Sequence, residues 1–488
     1  MSPVLVLIIM AAYFAVLFGI SYVSGRKADN QGFFTGNRKS SWYVVAFAMI
    51  ASAISGVTFV SVPGMVGTQA FSYLQMVLGF AVGQFLIAFV LIPLFYKMNL
   101  TSIYEYLENR FGLSAYRTGA WFFFISKMLG AAVRLYLVCL VFQLLVFDPL
   151  RAPFGLNVIF TVFLVWLYTH QGGVKSLIWT DSLKTFCLIV SVGLSIYFVS
   201  KDLGYGFTEM TAVIRDSDLS KVFFFEDIKD GKFFFKQFLA GVFLVIATTG
   251  LDQDFMQKNL SCRNQKDAQK NMVTSGILQI FVILLFLVLG LLLYLFAARN
   301  QLQVPAKTDD LFPFIATGGY FPLIVGVLFV VGLISSAYAA AGSALTALTT
   351  SFTVDILEST KKRSETAVAG IRKKVHVGMA VIMGLVILLI NLLNNTSVIN
   401  AVYILASYTY GPILGMFVFG IFTRRQVRDR FVPLVALLSP VVCFVIDSNS
   451  KVWFNGYEFS HERLILNAML TFLGLLLLTK RNTLKMEK

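Results

Sequence analysis

Thirteen stretches of this chain, near residues 3–23, 42–67, 71–96, 118–146, 153–170, 177–200, 233–255, 272–297, 321–353, 374–395, 400–422, 431–447 and 464–479, are apolar for long enough to cross about 30 Å of hydrocarbon. Backbone inside lipid must satisfy its own hydrogen bonds, so such segments fold as helices. The expected fold class is an all-α integral membrane protein with 13 transmembrane helices. Composition agrees, because 13% charged residues and 48 Phe against 25 Asp plus Glu leave too little polar surface to cover a water-exposed globule. A soluble enzyme is thereby excluded. The first stretch spans a full membrane thickness and precedes Arg26 and Lys27, which reads as a retained span rather than a cleaved leader. Cys139, Cys187, Cys262 and Cys443 stand apart with no CxxC pair, so neither a disulfide framework nor a zinc site is expected.

Membrane topology accounts for the formal charge of +15 without a nucleic-acid partner. With loops assigned alternately, one side collects 26 Lys and Arg and the other 10. That asymmetry puts the N-terminus outside and the C-terminus in the cytoplasm of a multi-pass cell (inner) membrane protein. Four cations remain within or at the edge of spans, namely Lys127, Arg134, Lys184 and Lys236. A charge in hydrocarbon requires an anionic partner or water, and so marks function. Lys127 and Lys236, near span ends, are read as snorkelling to the interface.

Two spans carry helix-weakening sequence near their middles: ASAISGVT from Ala51 to Thr58, and ATTG from Ala247 to Gly250 before the polar run Asp252, Gln253, Asp254. With the first span set aside, these are helices 1 and 6 of a ten-helix core. Five plus five helices in inverted repeat would place equivalent breaks there, beside a midplane binding site. Taken singly, either break could instead reflect close packing of small residues. The expected organisation is a leading helix and cytoplasmic loop at 1–41, a first five-helix repeat at 42–200, an outer loop at 201–232, a second repeat at 233–423, and two trailing helices with a cytoplasmic tail at 424–488.

Four fragments occur in order: TSIYEYL from Thr101 to Leu107, GGVKSLIWTD from Gly172 to Asp181, DQDFMQK from Asp252 to Lys258, and GPILG from Gly411 followed by GIFTRR from Gly420. Together they resemble the sodium/solute symporters of the inverted-repeat, leucine-transporter-like fold, with motifs nearest those of bacterial sialic acid and sugar symporters. The resemblance covers nearly the whole chain. It implies a secondary transporter importing a small polar solute by alternating access, with sodium as the one candidate ion and no other cofactor.

The resemblance places the principal sodium between core helices 1 and 8, on the carbonyls of Ala51, Ile54 and Ser336 and on two hydroxyls. Those hydroxyl positions hold Ala339 and Ala340, and the pair Ser335 and Ser336 lies about one turn too early. In a second sodium site known in some members, Asp181 and Ser343 remain, while Gly342 replaces another hydroxyl. Lys184 stands three residues after Asp181 on the same helical face. By analogy with proton-coupled relatives of the fold, its ammonium would fill the vacated sodium position, making transport sodium-independent, either proton-coupled via Lys184 or uncoupled. The alternative is a structural Lys184–Asp181 pair with sodium held weakly by carbonyls.

For the solute, the resemblance points to Thr58 on core helix 1, with Ser55 next to it, and to Tyr73 at the cavity edge on core helix 2, with Gln75 close by; Tyr338, between small pairs on core helix 8, is the one aromatic expected to reach the site from its position. Arg134 shares a face of core helix 3 with Lys127, and a guanidinium fork suits a carboxylate, so the solute is expected to be anionic. The helix 3 arginine of sialic acid symporters aligns with Gly130 and their helix 2 glutamine with Val77, so sialic acid itself is not indicated. His170, His376 and His461 form no cluster, and most Phe are expected to face lipid. Gly411 and Pro412 suit either close packing or a bend. A nucleotide-driven pump is excluded by the lack of GxxxxGK[ST], and the spans hold no constellation for a membrane enzyme. A leak or a transporter-like solute sensor remains the alternative from another class. The partners expected are the solute and membrane lipid, with the chain a monomer or weak oligomer.

Overall fold

The computed structural model describes residues 2–25, 29–170, 172–358, 363–393 and 398–479, with side chains between 394 and 403 outside the description. Its described residues are helical, without a named strand; two isolated bridges join Ser40 to Cys262 and Val427 to Thr479. Among the described residues, nine helices are long and apolar enough to cross a membrane, or eleven when each of two sharply bent pairs counts as one span. Two shorter apolar helices, Phe154–Thr169 and Arg463–Leu477, lie where the sequence suggested two further spans.

We label the site-bearing helices α1 (Pro3–Gly25), α2 (Trp42–Ala53), α3 (Gly56–Gln69), α4 (Tyr73–Lys97), α5 (Leu113–Phe147), α6 (Phe154–Thr169), α7 (Gly173–Asp202), α8 (Phe234–Gly250), α9 (Gln253–Asn259), α10 (Gln265–Arg299) and α11 (Leu323–Ile356). After them come α12 (Glu365–Leu393), α13 (Ile404–Phe422), α14 (Asp429–Ser448) and α15 (Arg463–Leu477).

Side-chain size sorts these helices between centre and rim. Most of α11, with its Ser, Ala and Gly run from Ser335 to Ser343, is buried, whereas the Leu- and Val-rich α12 and α14 are mostly exposed, as lipid-facing helices are. Helices α4 and α8 approach closely because Gly79 and Gly241 lack side chains. A Cβ on Gly79 would lie 2.2 Å from the Phe238 carbonyl, and one on Gly241 would lie 2.2 Å from the Met76 carbonyl. Gly411 is likewise filled by Asn467 of α15, and Pro412 sits inside an unbroken helix, so this position serves packing. Some Phe point inward: Phe59 meets Phe286, Phe312 and Phe329 in a buried aromatic cluster.

Candidate functional site

Both helix-weakening sequences are bends. Helices α2 and α3 meet at 62°, and α8 and α9 at 70°. At the first bend, Ile54 and Ser55 adopt extended backbone. The helical ladder stops with the Ile54 N–H on the Ile50 carbonyl and resumes with the Phe59 N–H on the Ser55 carbonyl. Carbonyls from Ala51 to Ile54 therefore lie outside both ladders, as at any helix end. At the second bend, Asp252 caps α9, its carboxylate accepting from the Asp254 N–H at 2.8 Å.

Between the bends lies a cavity of about 110 Å³. Four residues named from the sequence, Ser55, Thr58, Tyr73 and Arg134, line it together with Lys127, Thr249, Asp252 and Tyr410. Two others do not. Gln75 is spent on the outer loop, donating to the Lys232 carbonyl at 2.9 Å and accepting from the Phe224 N–H at 3.1 Å. Tyr338 turns away from the cavity and packs edge-on against Phe14 of α1, with ring centroids 4.8 Å apart. In both cases contacts with distant segments, the outer loop for Gln75 and α1 for Tyr338, hold the side chain elsewhere.

The cavity wall is charged. Lys127 Nζ lies 3.1 Å from Asp252 and 2.8 Å from Asp254, and the Tyr410 hydroxyl donates to Asp252 at 2.5 Å. Lys127 thus does not snorkel; it is a buried ion-pair residue, because the broken helix delivers two carboxylates to its depth. Lys236 does not snorkel either, since it donates to the Glu458 carbonyl and lies 3.5 Å from Glu462. Arg134 is only half-buried, and no described residue holds its guanidinium in a hydrogen bond or ion pair. One cation of the cavity is neutralised, and the other is free to meet an anion.

A second polar cluster is buried. Asp181 of α7 meets Lys184 at 3.2 Å through one oxygen and Lys258 of α9 at 2.7 Å through the other. Lys258 also donates to Ser52 and Ser343, and Ser343 donates to Asp181 at 3.1 Å. Lys184 reaches the Tyr338 carbonyl at 3.4 Å and lies over the Tyr168 ring. It makes no hydrogen bond to the carbonyls of Ala51, Ile54 or Ser336, so the Asp181 pair is its main contact. Lys258, counted from sequence among cytoplasmic loop cations, is only 1% exposed. A bent span carries the chain onward inside the protein, and the Asp254, Lys258 spacing on one helical face was the signal that could have found it.

Ala339 and Ala340 are buried and end in methyl groups, so neither offers a side-chain oxygen to a cation. Nor has Gly342 room for a hydroxyl-bearing side chain, because a Cβ there would sit 1.8 Å from the Tyr168 hydroxyl, which donates to the Tyr338 carbonyl.

Residues 33–429 match the sodium:solute symporter family. The chain is 26% identical over 469 residues to the sodium/sialic acid symporter NanT of Aliivibrio fischeri, covering 90% of this chain and 86% of that one. It is 23% identical over 420 residues to the human sodium/iodide cotransporter, covering 83% and 63%. The solved structure of a Na+-coupled sialic acid symporter superposes on 97% of this chain and 98% of its own, with a TM-score of 0.83 at 18% identity. With that fold and a family match over most of its length, the chain belongs to the sodium:solute symporter family of membrane transporters.

Proposed function

We propose that this secondary transporter imports a small, polar, anionic organic solute by alternating access through the cavity between the two bends. Arg134 carries the reading. Its guanidinium has no hydrogen bond or ion pair among the described residues, whereas Lys127, also lining the cavity, is committed to Asp252 and Asp254. A guanidinium fork binds both oxygens of a carboxylate, and Ser55, Thr58 and Tyr73 supply polar edges around it. Sialic acid and iodide, carried by two relatives, are both anions though very different in size. A cavity of about 110 Å³, below the roughly 300–1,000 Å³ of drug-sized sites, favours the smaller end. In this reading the chain crosses the cell (inner) membrane 13 times, as a monomer or weak oligomer. Residues 42–200 and 233–423 form the inverted repeats, the N-terminus is outside and the C-terminus is cytoplasmic.

A second reading concerns coupling. The alanines at 339 and 340, and a carboxylate at Asp181 already paired with Lys184, favour transport without sodium, either proton-coupled or uncoupled. Thermal shift of detergent-purified protein against sialic acid, short carboxylates, iodide, sugars and nucleosides, each with sodium or choline, tests both readings. Stabilisation confined to neutral solutes would remove the first, and stabilisation by anions only in sodium would remove the second.

A further inference from the structure

We propose that Lys258 is the resident cation of the Asp181, Ser52 and Ser343 cluster, so that this cluster binds no exchangeable ion while the ammonium is in place. An ammonium has three N–H donors and no acceptor, and the structure supplies three oxygens to it: Asp181 Oδ2 at 2.7 Å, Ser343 Oγ and Ser52 Oγ. These come from three helices, α7, α11 and α2, and none of the four residues is more than 3% exposed. The same geometry of a carboxylate and two hydroxyls converging on one point would ligate a small monovalent cation. Here the point is taken by a charge that is covalently tethered.

The tether is short and anchored. Lys258 lies in the last turn of the seven-residue α9. Next to it, the Asn259 side chain accepts from Asn271 at 3.1 Å, and its carbonyl accepts from the Tyr96 hydroxyl at 3.2 Å. The ammonium cannot leave the cluster unless α9 moves. Asp181 has no spare oxygen either, because its other oxygen meets Lys184. An incoming sodium ion would have to share one carboxylate with two fixed positive charges at contact distance, and like charges so close repel strongly in a buried site. The inference deepens the sodium-independent reading, and it is conditional on the ammonium: removal of the Lys258 charge exposes the Asp181 carboxylate and two hydroxyls, a set whose negative charge neutral carbonyls lack.

The test uses full-length protein in detergent and no solute, so an outcome here is separable from failure of the anion reading. Binding of radioactive sodium and the sodium-dependent shift of the unfolding midpoint are measured, with choline keeping ionic strength constant. Wild type and Lys258→Arg are expected to show no saturable sodium binding. Lys258→Ala is expected to gain saturable sodium binding, with a midpoint that rises with sodium concentration, and Asp181→Asn added to it should abolish the gain. Lys258→Gln, one atom shorter than lysine but polar and without charge, replaces the alanine variant if that variant does not elute as a single species. Saturable sodium binding to wild type that Asp181→Asn removes would overturn the proposal. So would a folded Lys258→Ala or Lys258→Gln protein that stays blind to sodium.

Discussion

Lys127→Met removes the charge that holds the cavity wall together while keeping most of the side-chain length. With pairs at 2.8 and 3.1 Å and an effective dielectric near 20, the two attractions amount to about 6 and 5 kcal/mol gross. Desolvation of the ammonium, several kcal/mol, is recovered when it is removed, which brings the net cost to about 3–5 kcal/mol, as for other broken buried pairs. The two carboxylates do not suffer equally. Asp252 keeps the Tyr410 hydroxyl and the Asp254 N–H, whereas the Asp254 side chain has Lys127 as its only partner among the described residues. Thermal unfolding in detergent should therefore show the midpoint of Lys127→Met falling by roughly 3–5 °C, at about 1 °C per kcal/mol for a chain of 488 residues. Asp254→Asn in the same chain should restore more of the loss than Asp252→Asn. A midpoint within about 2 °C of wild type, or equal rescue by the two asparagines, would refute the reasoning.

Other predictions follow from single contacts. Arg134→Gln should weaken binding of a stabilising anion about 10- to 150-fold, the worth of a charge-assisted hydrogen bond of about 1.5–3 kcal/mol, without lowering the unfolding midpoint of the solute-free protein; isothermal titration checks it. Gly342→Ser should cost about 1–3 kcal/mol through overpacking against the Tyr168 hydroxyl, and Tyr168→Phe should recover part of that in the same melting assay. Gly241→Val drives a side chain into the Met76 carbonyl and should reduce the yield of monodisperse protein on size exclusion, whereas Gly130→Ala, with nothing within 4 Å, should elute as wild type.

Much of this architecture was legible in the sequence, for identifiable reasons. Apolar length marks spans because lipid offers the backbone no partners, and Ser, Thr and Gly at Ala51–Thr58 and Ala247–Gly250 mark the bends because they weaken a helix where it must open. Arg134 stood out because nothing nearby in sequence could neutralise it. What was hidden depends on bend angles and distant pairings. Lys127 looked like an interfacial lysine because its partners lie 125 and 127 residues away in sequence. Lys258 looked like a loop residue because the polar run after the second bend resembles a span end, yet a 70° turn keeps α9 inside. Gln75 and Tyr338 were placed in the cavity by their positions in sequence, and contacts with distant segments hold them elsewhere. Tyr168 carried no signal at all, since its role comes from a space that Gly342 leaves on another helix.

We propose passage of an anionic solute through the Arg134 cavity and, as a second and separable reading, passage without sodium. Uptake into proteoliposomes of labelled sialic acid, a short monocarboxylate and iodide, with every sodium ion replaced by choline, tests both most directly. The account predicts that uptake of at least one of these anions persists in choline at the rate seen in sodium and is lost in Arg134→Gln. Uptake that Arg134→Gln leaves unchanged would contradict the first reading, and uptake that requires sodium would contradict the second.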